Sequence, residues 1–293
     1  MLGPLLFSIF INDLPNEVHS HIKIFADDTK LYNSTGNFNL LSDDLNALVS
    51  WSNRWLLPFN VDKCKILHYG KHNEGYLYYM DGSVLSEDSS IKDLGVIFQD
   101  DLKFDEHISK ICATANSRLG LIRNTFHSID RDGFLVLYKC LVRPILEYCN
   151  LIWSPFLKKH HKMIEKVQRR ATKMIKGFST LSYSERLINL KLDTLYFRRR
   201  RADLLQVFRI ISKIDCVSFD NFFKFDEGRT RGNCKKLFKP RAGTSTKQHC
   251  FSHRVINDWN MLPDYVVSSE SLNSFKSNLK MCWRDKSFRY EYE

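Results

Sequence analysis

The chain of 293 residues is 43% hydrophobic and 26% charged, which excludes a disordered chain and allows more than one folded domain. Its formal net charge of +11 favours a polyanionic partner, either a nucleic acid or a membrane surface. No apolar stretch is long enough to span a membrane, and the apolar start lacks the basic residues and cleavage site of a signal peptide. The eight cysteines form no C-x-x-C pair, which favours a reduced intracellular protein that is not secreted.

The first hundred residues predict a mixture of short helices and strands. Residues 5–14 predict an apolar helix that ends before Pro15. Residues 21–32 predict a strand, a turn and a second strand, with Asp27 and Asp28 at the turn. The next helix is predicted by apolar residues at three- and four-residue steps, which are Leu41, Leu45, Leu48, Trp51 and Trp55.

Three further strand signals follow that helix. Residues 64–69 alternate like a strand, and residues 92–98 predict another short strand. Between them, residues 76–85 contain Asp81 and Gly82, which are typical of a tight hairpin turn.

From about residue 104 the pattern changes to helices. Apolar residues recur at helical spacing in residues 104–122, in 134–146 with an end near Pro144, in 164–174 and in 194–214. Residues 215–250 are richer in Gly, Lys and Asn and predict a loop or linker, followed by weaker helical patterning. The predicted fold class is α+β, with an α+β piece in residues 1–100, a helical region in 101–214, and a linker with a small helical region in 215–293.

The positive charge is concentrated in one segment. Residues 158–201 contain fourteen Lys and Arg residues and three acids, an excess that equals the net charge of the whole chain. Such a run is most often a solvated helix face, but this excess is larger than ordinary charge alternation gives. We therefore predict phosphate contacts from one basic face that carries Lys166, Arg169, Arg170, Lys173, Arg198, Arg199, Arg200 and Arg201.

The Asp27–Asp28 pair is the candidate for metal chemistry. Adjacent carboxylates at a hairpin tip can hold divalent cations, and nucleotidyl transfer uses two Mg²⁺ ions about 4 Å apart. An Asp-Asp turn on its own is more often a pair of solvated turn residues.

An ordered set of motifs resembles the reverse transcriptases of jockey-like LINE (non-LTR) retrotransposons. Residues 3–15 resemble the end of palm motif B, 25–28 motif C, 60–63 motif D, and 94–96 motif E. The resemblance continues through residues 51–60, 141–148, 153–155, 164–171 and 257–263, so that it covers essentially the whole chain.

The resemblance implies an incomplete reverse-transcriptase palm, then an all-helical thumb and C-terminal region. It implies that Asp27 and Asp28 hold metal, Mg²⁺ or Mn²⁺, and that Lys63 protonates the departing pyrophosphate, with Lys65 as the alternative lysine. The primer grip would be formed by Leu94, Gly95 and Val96. The partners implied are an RNA template, a DNA primer and deoxynucleoside triphosphates, and the compartments are the cytoplasm and nucleus.

One family motif has no counterpart in this sequence. Motif A, which supplies another catalytic aspartate, precedes motif B, and the chain opens inside motif B. Two metal ions need more carboxylates than Asp27 and Asp28, so we expect this chain alone to be inactive. The apolar residues 5–11 are expected to be a buried palm helix in the complete protein.

Three other interpretations were compared with a polymerase fragment. A non-catalytic nucleic-acid-binding remnant fits the same charge pattern. A phosphotransferase with Asp27 as nucleophile fits poorly, because such enzymes need a spaced D-x-D sequence. Zinc binding is left open, but its spacing matches no standard pattern, and its candidate ligands are Cys234, His249, Cys250 and His253.

Overall fold

The computed structural model describes residues 2–34, 38–70, 73–126, 129–228, 233–284 and 289. The chain divides into two compact units, Met1–Leu102 and Lys103–Glu293. Helices and small sheets share the first unit and helices dominate the second, so the described residues have the predicted α+β character. Across these residues, every helix is too short or too polar to cross a membrane.

The first unit contains short elements throughout its described residues. In chain order they are α1 (Leu2–Ile11), a 3₁₀ helix (Leu14–Glu17), β1 (His21–Phe25), β2 (Asp28–Tyr32), α2 (Phe38–Trp55), a 3₁₀ helix (Val61–Lys63), β3 (Lys65–Ile66), β4 (Tyr79–Met80), β5 (Ser83–Val84), β6 (Ser86–Glu87), β7 (Ser90–Asp93) and β8 (Val96–Gln99).

The strands of the first unit pair into four two-stranded sheets. β1–β2, β4–β5 and β7–β8 are antiparallel hairpins, and β3 pairs with β6 in parallel. The predicted turn at Asp81 and Gly82 is confirmed, since these residues join β4 to β5. The prediction of one strand over residues 92–98 is wrong, because Leu94 and Gly95 take left-handed φ angles of 43° and 87° and reverse the chain.

Two other predicted elements differ in length. The strand predicted over residues 64–69 is reduced to β3, where Lys65 and Ile66 pair with β6. The helix predicted over residues 5–14 begins at Leu2 and ends at Ile11, and Pro15 lies in the first turn of the following 3₁₀ helix. Proline is tolerated there because a first turn does not use its missing N–H.

The core of the first unit forms between α1, α2 and the strands. Leu14, Leu48, Trp51 and Met80 are buried, and half-buried residues of β1 and β2 pack against them. The predicted apolar face of α2 is therefore confirmed at its centre. The outer face of α1 is different, because its apolar side chains are more than half exposed at Leu2, Leu5, Leu6 and Ile9.

The second unit is built from helices in its described residues. They are α3 (Asp105–Thr125), α4 (Arg131–Leu137), a π-helical segment (Tyr138–Val142), α5 (Arg143–Glu147), α6 (Asn150–Trp153), α7 (Lys158–Lys173), α8 (Tyr183–Leu190), α9 (Leu195–Ile211), a 3₁₀ helix (Phe219–Asn221), α10 (Ser245–His249), α11 (Phe251–Arg254), α12 (Ile256–Asn260), α13 (Asp264–Val267) and α14 (Leu272–Cys282).

The first helices of this unit pack around α3, which contacts α5 and α7. The apolar stripe predicted for α3 is buried at Ile108, Ala115, Leu119 and Ile122. The helix predicted over residues 134–146 is confirmed as a helical run that ends at Glu147, three residues after Pro144. Pro144 falls in the first turn of α5, directly after the π-helical segment, where its missing N–H is not needed.

The last helices form a second core around α9. Leu204 and Phe208 of α9 cluster with Trp259, Phe275 and Leu279, and all of these side chains are buried. Phe208 stacks on Phe275 with the ring centroids 4.4 Å apart. The C-terminal helices therefore cover the inner face of α9.

Described residues of the segment 215–250, which is predicted as a loop or linker, belong to this same core. Phe223 and Leu237 are buried in the cluster around α9. The side-chain amide of Asn233 donates to the carbonyls of Trp259 at 2.9 Å and Leu262 at 3.1 Å. The boundary predicted at residue 214 therefore separates residues that pack in one core. Residues 229–232 of this segment, and 285–288 and 290–293 of the C-terminal region, lie outside the described residues.

Candidate functional site

Asp27 and Asp28 lie at the tip of the hairpin β1–β2. The strand register pairs Phe25 with Asp28, so Ala26 and Asp27 form a two-residue turn, and Ala26 takes a left-handed φ of 53°. Both carboxylates are exposed. The predicted position at a hairpin turn is confirmed, with Asp27 in the turn and Asp28 as the first residue of β2.

A buried acid of α2 fixes the segment that leads into β1. Asp44 is 1% exposed, and its carboxylate accepts hydrogen bonds from the backbone amides of His19 at 2.8 Å and Ser20 at 2.7 Å. Burial by itself raises the pKa of Asp44, but these hydrogen bonds outweigh burial and hold the pKa below its ordinary value. No motif pointed to Asp44, although an acid three residues after Leu41 and four before Leu48 lies on the apolar face of the helix.

The carboxylate pair was tested as a metal site by its ligand set. Among the described residues, no group of three or more His, Cys, Asp and Glu side chains could hold a metal ion. Two Mg²⁺ ions carry about four positive charges, whereas Asp27 and Asp28 supply two negative ones. The residues described here therefore do not complete a two-metal site.

Lys63 and Lys65, the two lysines compared as proton donors, have different surroundings. Lys63 ends a 3₁₀ helix, is exposed, and its ammonium group has no partner in the described part of the chain. Asn60 caps this helix, and its side chain accepts from the backbone amide of Lys63 at 3.3 Å. The ammonium of Lys65 donates to Ser86 at 2.7 Å and pairs with Asp88 at 3.7 Å. Lys63 is the lysine that is available to a ligand.

Leu94 and Gly95 form the turn between β7 and β8, and Val96 is the first residue of β8. Leu94 is 42% exposed at the turn, whereas Val96 is buried. Asp93, directly before this turn, forms an ion pair with Lys30 of β2. The ion pair joins the hairpin that carries Asp27 and Asp28 to the hairpin that carries the predicted primer grip.

The second unit carries a basic cleft, defined by the cations Lys166, Arg169, Arg170, Lys173 and Arg186. The first four are exposed on one face of α7, and α8 supplies Arg186. The cleft has a volume of about 580 Å³, and among the described residues its lining also includes Ser179, Ser182 and Tyr183 but no acid. The predicted cations of α7 therefore share one surface, and the sequence analysis had not singled out Arg186.

The arginine run Arg198–Arg201 does not join this cleft. Arg198 forms an ion pair with Glu147, and Arg200 forms one with Asp258. These acids lie 51 and 58 residues away in the sequence. The prediction of one basic face that includes both α7 and this run is therefore wrong, because distant acids neutralise these cations.

The other two arginines of the run are also turned into the fold. Arg199 is 2% exposed, and its Nη2 lies 3.1 Å from Nδ1 of His161. Arg201 lines a separate pocket of about 420 Å³ with Asp193 and Arg289, which pair with each other.

The four residues considered for zinc are held by other neighbours. They are Cys234, His249, Cys250 and His253. Nε2 of His253 lies 2.8 Å from the carbonyl oxygen of Pro240, and Sγ of Cys234 lies 3.3 Å from the hydroxyl of Ser268. No metal-binding group forms from them in the residues that the structure describes.

Comparison with known proteins identifies what the chain resembles. The family model described as "Reverse transcriptase (RNA-dependent DNA polymerase)" matches residues 1–98. The RNA-directed DNA polymerase from mobile element jockey of Drosophila funebris is 27% identical over an alignment of 193 residues, which covers 60% of this chain and 21% of that protein. Over these residues the chain is similar to reverse transcriptases. The RNA-directed DNA polymerase from mobile element jockey of Drosophila melanogaster is 23% identical over 193 residues, again 60% of this chain and 21% of the relative.

The reverse-transcriptase similarity has a defined extent. The family match includes the Asp27–Asp28 hairpin, Lys63 and residues 94–96. The aligned length of 193 residues exceeds the first unit, so the similarity to the jockey polymerases extends into the helical second unit. The chain spans about a fifth of the length of these relatives. No solved structure matches the chain.

Proposed function

We propose that this chain is part of an RNA-directed DNA polymerase of a non-LTR mobile element. The observation that carries the proposal is the reverse-transcriptase match over residues 1–98, within which Asp27 and Asp28 lie at an exposed hairpin tip. In this proposal the first unit is part of the palm, and the second unit is the thumb and C-terminal region. The partners are an RNA template, a DNA primer and deoxynucleoside triphosphates, in the cytoplasm and nucleus.

Each candidate residue of the first unit has a proposed role. Asp27 and Asp28 are ligands of Mg²⁺, which Mn²⁺ can replace, because exposed adjacent carboxylates are hard oxygen donors. Nζ of Lys63 donates a proton to the departing pyrophosphate, a role supported by its exposure and by the engagement of Lys65 elsewhere. Residues 94–96 hold the primer end, and the ion pair between Lys30 and Asp93 supports their position near the carboxylates.

The chain alone is expected to be inactive. The described residues offer two carboxylates at the hairpin tip and no larger group of metal ligands. Polymerase activity therefore belongs, in this proposal, to a longer protein that supplies further carboxylates, in line with the greater length of the relatives.

Primer extension on an RNA template tests the proposal. The chain is assayed alone, and again joined to the residues encoded directly upstream of it, with Mg²⁺ or Mn²⁺. We expect extension from the longer protein only, and Asp27→Ala should abolish it. The matched control is Asp43→Ala, which removes one exposed acid from α2 of the same unit and should leave extension unchanged. Equal extension by the chain alone would show that our account of the carboxylate site is wrong.

A non-catalytic nucleic-acid-binding protein is the second candidate. One observation favours it, because the basic cleft is complete within the described residues while the carboxylate site is not. Nucleic acid binding without extension by either form of the protein would select this candidate.

A further inference from the structure

Arg186 is a buried cation without an acidic partner. It is 2% exposed, its Nε donates to the hydroxyl of Thr172 at 3.0 Å, and its Nη1 donates to the carbonyl of Leu181 at 2.6 Å. Both acceptors are neutral, and none of the described carboxylates forms an ion pair with it. A buried charge without a counter-charge is unfavourable. An anion at the wall formed by Arg186 would supply the missing counter-charge.

A second guanidinium lies close to Arg186. The guanidinium carbon of Arg169 is 4.5 Å from the centroid of the Tyr183 ring, and that of Arg186 is 5.6 Å from the same centroid. Burial lowers the pKa of Arg186, Tyr183 opposes this effect, and the charge of Arg169 adds to it. The fold thus holds two like charges around one ring, and an anion relieves their repulsion.

The positive charge continues along α7 beyond this pair. From Lys166 to Lys173 the cations extend over seven residues, or about 10 Å of helix at about 1.5 Å per residue. This row is longer than one phosphate group, and its length of about 10 Å allows contacts with successive phosphates of one strand, whose rise is about 3.4 Å per nucleotide.

The N-terminus of α8 adds to the positive charge of the cleft. Ser182 caps α8 and lines the cleft, so the positive end of this helix faces the same surface. Glu185, the first acid of α8, does not line the cleft, and its carboxylate accepts from the backbone amide of Ser182 at 2.7 Å. The part of the lining that the structure describes contains five cations and no carboxylate.

We propose that the basic cleft binds the sugar–phosphate backbone of one nucleic acid strand. One phosphate contacts Arg169 and Arg186, and its neighbours contact Lys166, Arg170 and Lys173. Phosphate is common to a strand and to free inorganic anions, and the length of the row favours the strand. The choice of a nucleic acid rests on the proposed function. Contacts to phosphates alone do not read bases, so binding has no sequence preference.

The first test removes two exposed cations of the cleft. The double variant Lys166→Gln with Lys173→Gln is compared with Lys158→Gln and Lys162→Gln, which removes two exposed lysines of the same helix that do not line the cleft. Fluorescence anisotropy of a labelled RNA–DNA duplex is measured at several salt concentrations. Each lost phosphate contact should flatten the slope of log affinity against log salt by about 0.9, and weaken binding roughly tenfold near 0.1 M salt. The control pair should retain the wild-type slope.

The second test addresses the buried arginine. Thermal unfolding of the full chain is followed in sodium pyrophosphate and in sodium chloride of equal ionic strength. Pyrophosphate should raise the melting temperature of the wild type, and Arg186→Gln should lose this rise while Arg186→Lys keeps part of it. If Arg186→Gln does not fold, the exposed double variant and Arg186→Lys decide the outcome.

Three results would overturn the proposal. In the first, the control pair flattens the salt slope as much as the cleft variant does. In the second, the cleft variant keeps the wild-type slope. In the third, pyrophosphate raises the melting temperature but the chain does not bind the duplex, which would make the cleft a site for free anions. Failure of this proposal is distinguishable from failure of the proposed function. If the cleft variants bind the duplex like wild type while the longer protein still extends a primer, the cleft proposal fails and the proposed function stands.

Discussion

Helices α7 and α9 each carry four cations in a short stretch, yet they present them differently. On α7, Lys166, Arg169, Arg170 and Lys173 recur at helical spacing and share one exposed face. On α9 the four cations are consecutive in Arg198–Arg201, and four successive helical positions span about 300° around the axis. They cannot all face water on a helix that also buries Phe197 and Leu204.

The comparison shows that the spacing of charges is more informative than their number. Cations at steps of three and four residues define a surface, whereas a consecutive run must place some charges against the protein. There the fold supplies counter-charges, and Glu147 and Asp258 do so for Arg198 and Arg200. We therefore expect that removing charges from α9 lowers stability and that removing them from the exposed face of α7 lowers affinity for nucleic acid.

The largest effect is expected at the acid of α9. Asp203 is 6% exposed, and both of its carboxylate oxygens accept from Arg254 at 2.8 and 2.9 Å. Arg254→Met leaves a buried carboxylate unpaired and should lower the free energy of unfolding by about 3–5 kcal/mol. Urea denaturation measures the loss. Adding Asp203→Leu should restore part of it, and an additive double variant would contradict the pairing.

The next effect tests the α9 arginines directly. Arg200→Gln removes the ion pair with Asp258 and the contacts of its guanidinium with the rings of Tyr196 and Trp283. The free energy of unfolding should fall by about 1.5–3 kcal/mol, since charged hydrogen bonds in a half-buried site are lost. The salt slope of duplex binding should equal that of the wild type. A flatter slope at full stability would place Arg200 on the binding surface.

The third effect is expected at a buried acid of the first unit. Its replacement should lower the free energy of unfolding by about 1–2 kcal/mol. Asp44 has a lowered pKa, so its stabilising effect is present above the unfolded-state pKa and is lost as pH falls through the folded-state pKa. Asp44→Asn should unfold more easily than wild type at neutral pH, because one backbone amide then meets the side-chain NH₂ group. The difference should shrink in acid. Denaturation curves at a series of pH values measure it, and a difference independent of pH would exclude this role.

The smallest effect on stability is expected from the exposed cations of α7. Lys166→Gln with Lys173→Gln should change the free energy of unfolding by less than about 0.5 kcal/mol, because neither ammonium has a partner in the described residues. The same denaturation assay measures this value. A loss comparable with that of Arg200→Gln would remove the contrast between the two helices.

Local signals predicted much of the fold. The hairpin around Asp27, the Asp81–Gly82 turn and the buried stripe of α3 each depend on residues close together in the sequence. The predictions failed where distant partners decide the structure. Residues 215–250 look polar and rich in breakers, but Phe223 and Leu237 find apolar partners on α9 and its covering helices.

The candidate sites also differ in whether they depend on local sequence or on distant partners. Motif resemblance was sufficient to single out Asp27, Asp28 and Lys63, which are exposed residues of short local elements. It did not single out Arg186, because the significance of this residue depends on Thr172, on Leu181 and on the absence of an acid from the described cleft lining. These are properties of packing between helices, which no short segment of sequence contains.

The core around α9 also has a consequence for synthesis on the ribosome. Leu204, Val207 and Phe208 are covered by side chains as far along the chain as Phe275 and Leu279. From the end of α9 at residue 211 to residue 279 the ribosome must add 68 residues, which takes roughly 3–14 s at about 5–20 residues per second. During that interval the nascent helix displays an uncovered apolar strip. The emerging protein is therefore a natural substrate for chaperones that bind hydrophobic segments, and an interrupted translation product that stops before α12 is prone to aggregate.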